Sequence, residues 1–114
     1  MANRQDHPQN QIQAQNGRKR FVQSVAFTTS SAFTTLNTTC VDGTTIPSTG
    51  ALLVYQPDAD CQIEPGAASR TLTNTNSVWV QAGQQEWSYA LPSDVGVNLK
   101  GRSGSGNCQV FAIF

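Results

Sequence analysis

Charge is scarce in this sequence. Asp, Glu, Lys and Arg make up 12% of 114 residues, and acids and bases cancel to a formal net charge of zero. Histidine is scarcer still, with His7 alone, so Ser–His–Asp and Cys–His arrangements and most zinc sites lack their central group. Helix formers are thin too, at two Glu, two Lys and one Met. No apolar run comes near the ~20 residues that cross a bilayer as a helix, and the opening MANRQDHPQNQ lacks the apolar stretch of a secretory signal. These shortages predict a chain made in a cytoplasm, with no membrane partner, no metal, no cofactor and no enzymatic activity.

The cysteines, Cys40, Cys61 and Cys108, are three, with no CxxC pair. An odd number is a poor disulfide framework, and reduced thiols packed as small hydrophobes are expected. A Cys40–Cys61 bridge would close a loop worth about 3 kcal/mol, but nothing in the sequence demands it.

What is abundant is Thr, with twelve residues, together with Gln, Asn and Ser. Thr is stiff at χ1 and favours extended backbone. A length of 114 residues leaves room for one domain. Residues 1–20 contain no aromatic residue and one aliphatic anchor, Ile12, too little apolar area to offset ordering, so they are expected to form a polar N-terminal arm. Arg4, Arg18, Lys19 and Arg20 against Asp6 give this arm a net charge of +3. Arg70, Lys100 and Arg102 against Asp42, Asp58, Asp60, Glu64, Glu86 and Asp94 give the remainder −3.

From Phe21 the pattern becomes that of short strands. Phe21–Phe27 reads as the first, and Ala51-Leu52-Leu53-Val54-Tyr55 as a central one, apolar on both faces. Phe33, Leu36 and Cys40 have helical spacing in a Thr-rich setting that disfavours helix, so an irregular strand or loop is expected. Arg70–Thr75 alternates weakly. Val78, Val80 and Ala82 share one face, with Trp79 opposite. Trp87, Tyr89 and Leu91 alternate with Ser88 and Ala90, and the apolar set is expected to face inward. Val95, Val97 and Leu99 alternate most cleanly, Gly101–Gly106 is expected to be a hairpin tip, and Cys108–Phe114 closes the chain with apolar residues on both faces. Turn residues fall between these segments at Asp42-Gly43, Pro47–Gly50, Pro57–Asp60 and Pro65-Gly66. The fold class is all-β, an antiparallel sandwich or jelly roll of seven or eight strands over residues 21–114.

Candidate chemistry is sparse. Asp58 and Asp60 are two turn-forming aspartates, too few for a calcium loop, and nothing brings Glu64 and Glu86 together as a glycosidase pair. Gly101–Gly106 lacks the order of a phosphate loop. Arg18, Lys19 and Arg20, with Arg4 and Ile12, form the candidate docking set for a protein partner. Three clustered charges with no interleaved aromatics are too few for firm nucleic-acid binding. Tyr55, Trp79, Trp87 and Tyr89 are core residues on the simplest account, with an inter-subunit contact or stacking on sugar rings as alternatives.

Ile63-Glu64-Pro65-Gly66, Thr71-Leu72, Ser77-Val78-Trp79-Val80-Gln81-Ala82 and Gly104-Ser105-Gly106-Asn107-Cys108-Gln109-Val110 resemble small bacteriophage virion β-sandwich proteins, among them head decoration (cement) proteins and the shells or anchors of fibres. The resemblance implies a non-catalytic subunit present in many copies, lying over joints of a capsid lattice. It carries no named functional residue. The expected role is a capsid decoration subunit located in the virion, with the major capsid protein, other virion subunits and further copies of itself as partners. The alternative is a carbohydrate- or receptor-binding module of a phage fibre or tail.

Overall fold

The computed structural model describes residues 17–114. They form eight strands: β1 (Lys19–Phe27), β2 (Ala32–Thr35), β3 (Ala51–Pro57), β4 (Cys61–Pro65), β5 (Val78–Val80), β6 (Glu86–Ala90), β7 (Gly96–Gly101) and β8 (Gly106–Ile113). All pairings are antiparallel, in two four-stranded sheets ordered β1-β8-β3-β6 and β2-β7-β4-β5. The pairs β1·β8, β2·β7, β3·β6 and β4·β5 nest one inside the next, as in a long chain folded back on itself at the β4–β5 connection.

One buried cluster draws on both sheets: Val25 and Phe27 from β1, Leu53 and Tyr55 from β3, and Cys108 and Val110 from β8 meet Cys61 and Ile63 from β4 and Val97 and Leu99 from β7. β3 and β8 occupy interior positions of their sheet, and β3 is buried along almost its whole length. The three cysteines are free and buried. Burial pushes the thiols of Cys61 and Cys108 up to about 12, so neither is a nucleophile at neutral pH.

Tyr55 is fully buried, and among the described residues its hydroxyl has no hydrogen-bond partner. An unsatisfied buried hydroxyl costs about 1–3 kcal/mol. Tyr55→Phe is therefore expected to stabilise the protein by about 1–2 kcal/mol, read as a higher urea midpoint at unchanged slope. A lower midpoint would mean that the hydroxyl has a partner after all.

Several sequence expectations are revised. β1 begins at Lys19, so the last two residues of the expected arm are strand. β4 was not foreseen, whereas Arg70–Thr75 forms no strand. Instead, residues 66–77 run across the outer side of β4 and β7. Asn98, 0% exposed, holds this segment: its Oδ1 accepts the Arg70 amide at 2.9 Å, and its Nδ2 donates to the Ala68 carbonyl at 2.8 Å and to Glu64 at 3.3 Å. Gln62, also buried, donates to the Ser77 hydroxyl at 3.0 Å, and buried Leu72 is anchored by its amide to the Ser31 hydroxyl at 2.9 Å.

Nor is Gly101–Gly106 a hairpin tip, because β7 and β8 belong to different sheets and the segment crosses between them. Gly101 donates its amide to the Thr28 carbonyl at 2.6 Å, and a Cβ there would run into the Gly104 carbonyl oxygen. Gly50, before β3, has φ +94°, and a Cβ would lie 2.7 Å from the Ala90 carbonyl oxygen and 2.9 Å from the Tyr89 ring.

Candidate functional site

Register fixes which side chains share the outer face of the β1-β8-β3-β6 sheet. Leu53, Tyr55, Cys108, Val110 and Ala112 belong to the main core, so alternation sends Leu52, Val54 and Gln56 of β3 and Asn107, Gln109, Phe111 and Ile113 of β8 to the other side. On β6, Trp87 stands opposite Val54 and Tyr89 opposite Leu52. On β1, Phe21 pairs with Phe111 and Lys19 with Ile113, and beyond a register shift between Phe21 and Gln23, Ser24 pairs with Gln109.

The face is thus a grid of rows crossing all four strands. One row reads Phe21, Phe111, Val54, Trp87, and the next Lys19, Ile113, Leu52, Tyr89. Leu52, Val54 and Ile113 form a second buried cluster with Phe111 packed on it. The Phe21 and Phe111 rings meet edge to face at 5.6 Å, and the Lys19 ammonium lies 4.3 Å from the Phe111 centroid. The Tyr89 hydroxyl donates to the Thr49 carbonyl. Toward the β6 edge the apolar rows reach the surface, with Trp87 44%, Tyr89 36% and the adjoining Leu91 44% exposed.

This corrects the expectation that Trp87, Tyr89 and Leu91 face inward. The period of two holds, but the inward positions of β6 are Glu86, Ser88 and Ala90, opposite Tyr55, Leu53 and Ala51. Ala90 packs on the main core, and burial pushes the Glu86 carboxyl up from its ordinary value. Trp79 is half exposed on β5, in the other sheet, where its indole N–H donates to Asn74 at 3.2 Å and the Arg102 guanidinium lies 5.5 Å from its ring. Tyr55 is core, as expected.

The other half of the outer face is polar. Ser24, Gln109 and Gln56 form its first row, and Gln85 donates to Gln56 at 3.3 Å. Ser24, Gln56, Gln109, Asp58, Asn107 and the backbone at Gly83 line an open groove of about 640 Å³. Asp58 accepts the Asn107 amide at 2.8 Å, and Asp60 accepts the Ala82 amide at 3.0 Å, so both aspartates serve turns. Glu64 pairs with Arg70 at 3.3 Å and lies in the opposite sheet from Glu86.

The candidate docking set is scattered. Arg4 and Ile12 lie outside the described residues. Lys19 covers Phe111, while Arg20 donates to Asp42 at 2.9 Å and to the Thr44 hydroxyl at 3.2 Å, its guanidinium 4.6 Å from the Phe114 centroid. Arg18 is exposed, and its backbone pairs with Phe114. The Thr44 hydroxyl and amide, together with Arg20, lower the Asp42 carboxyl to about 2. Because the folded value lies below the ordinary 3.8, the stabilisation is full above about pH 4 and fades as pH falls toward 2. The gap in thermal midpoint between the native sequence and Asp42→Asn is expected to narrow over that interval. A gap that stays constant would show that the carboxylate's charge contributes nothing.

Compared with protein-family models, curated proteins and solved structures, the chain has no match.

Proposed function

We propose that this chain is a non-enzymatic structural subunit of a bacteriophage particle, a capsid decoration protein, built as an eight-stranded jelly-roll sandwich. The nested strand order is the one such a double-sheet roll has, and that architecture serves viral capsid and lectin domains alike. Fold alone does not assign function, so the reading rests on one observation: apolar rows that cross the β1-β8-β3-β6 face and surface at Trp87, Tyr89 and Leu91. An apolar patch rimmed by polar residues is what a packing surface for another subunit requires.

In this reading Trp87 and Leu91 seat against the major capsid protein or a neighbouring copy. Arg18 and residues 1–16, including Arg4 and Ile12, add a tether. A truncation that tests the tether should stop at Asn16, since Lys19 and Arg20 are needed in β1. The decisive experiment is quantitative mass spectrometry of density-banded particles from the host carrying this gene. The chain should appear at a fixed ratio to the major coat protein across the band, and particles without it overturn the proposal.

A further inference from the structure

The polar half of the same face has a chemistry that subunit packing leaves unused. The geometry points to a binding site for a neutral saccharide in the groove between Gln56, Gln109, Asn107 and Ser24, with Trp87 as its stacking wall. Its volume of about 640 Å³ lies within the roughly 300–1,000 Å³ of small-ligand sites.

The lining chemistry selects the ligand class. Among the described residues no Lys or Arg lines the groove, so none of them neutralises a phosphate, sulfate or carboxylate. The single carboxylate, Asp58, holds the Asn107 amide and by itself falls far short of the oxygens a divalent cation takes. What remains is a row of side-chain amides and a hydroxyl, groups that both donate and accept. A sugar ring presents hydroxyls that do the same. Gln56 is held in place, accepting from Gln85 at 3.3 Å and donating to the Gly83 carbonyl at 3.4 Å. Among the described residues, the side-chain amides of Gln109 and Asn107 have no protein partner, so both are open to a ligand.

Trp87 supplies the apolar component. It stands opposite Val54 on β6, one outward row along from Gln56, about 7 Å away, and is 44% exposed. The C–H face of a pyranose is apolar and stacks on an electron-rich ring, while its equatorial hydroxyls reach sideways to the amides. Trp87 thus stands in the apolar row next to the amide row of Gln56 and Gln109. Trp79 stands in the other sheet with its indole N–H engaged.

The test is NMR titration of the full chain with neutral glucose-, galactose-, mannose-, rhamnose- and N-acetylglucosamine-based trisaccharides up to the order of 10 mM, about the weakest affinity worth counting as a site. At least one probe should shift the Trp87 indole together with the Gln56 and Gln109 side-chain amides. Gln109→Ala and Trp87→Ala should each weaken that binding at least tenfold, with Trp79→Ala neutral. No shift with any probe, or shifts confined to Trp79, overturns the inference. Gln109→Ala leaves the apolar rows intact, so its effect on saccharide binding is separable from particle association, whereas a saccharide and a neighbouring subunit compete for Trp87.

Discussion

Replacing Trp87 and Leu91 together by serine is expected to release the chain from phage particles while leaving its fold intact. Each side chain is nearly half exposed in the free domain, so little folding stability depends on them, and surface substitutions of this kind usually change stability by about 0.5 kcal/mol or less. In a packed interface the same groups are central: a buried Trp is a typical hot spot, worth about 2 kcal/mol or more, which is roughly 30-fold in affinity. The double variant should therefore retain its thermal midpoint within a few degrees and lose at least about 30-fold in co-sedimentation with particles. Val54→Ser is the contrasting case. That residue lies in the same grid but is 1% exposed, so its loss should lower stability. Undiminished particle binding by the double variant would remove the apolar rows from the interface.

A second large effect is expected at Asn98. Substitution by Ala deletes one acceptor and two donors at a position with no solvent access, leaving the Arg70 amide and the Ala68 carbonyl without their partner. Unsatisfied buried groups cost about 1–3 kcal/mol each, partly recovered if the segment opens to water, so the net loss is about 2–4 kcal/mol. That is a large share of the ~5–15 kcal/mol that holds a domain together. Amide exchange should rise first across residues 66–77, ahead of the strands beneath. Asn98→Asp should be worse at neutral pH, since a carboxylate cannot donate to Ala68 and stands beside Glu64; acid should relieve it. If Asn98→Ala matches the native chain in both midpoint and exchange, the latch assigned to this residue does not exist.

Much of the strand content was visible in the sequence, and the failures have physical causes. β3 from Ala51 to Tyr55 and β8 from Val110 to Ile113 are apolar at odd and even positions alike. That same property hides the direction of Trp87, Tyr89 and Leu91: alternation gives the period, but with an apolar outer face it does not say which side is core. β4 escaped because its second residue is a buried Gln and turn residues crowd both ends, and Gln62 is tolerated there only because Ser77 and Asn74 satisfy it. The weak alternation at Arg70–Thr75 reflects one anchor, Leu72, tucked over the sheet from outside. The Gly-rich run 101–106 has hairpin composition, yet neighbouring strands in sequence went to separate sheets, which no local signal encodes. Of the amide groove, Gln56 stands more than 50 residues before Asn107 and Gln109 in the chain, and only the pairing of β3 with β8 brings them side by side.

The nesting of the strands also governs when this protein can exist as a folded body during its own manufacture. β8 sits between β1 and β3, so the first strand made has no neighbour until the last is out of the ribosome. Phe27 must wait for Gly106, roughly 4–16 s at about 5–20 residues per second. Through that interval its unpaired edge is open to stray partners. The inner β4·β5 pair, and then β3·β6, can close before β7 and β8 are made. A host cell making many copies at once would hold a transient pool of such half-emerged chains, and chaperone supply, more than final stability, would set the yield.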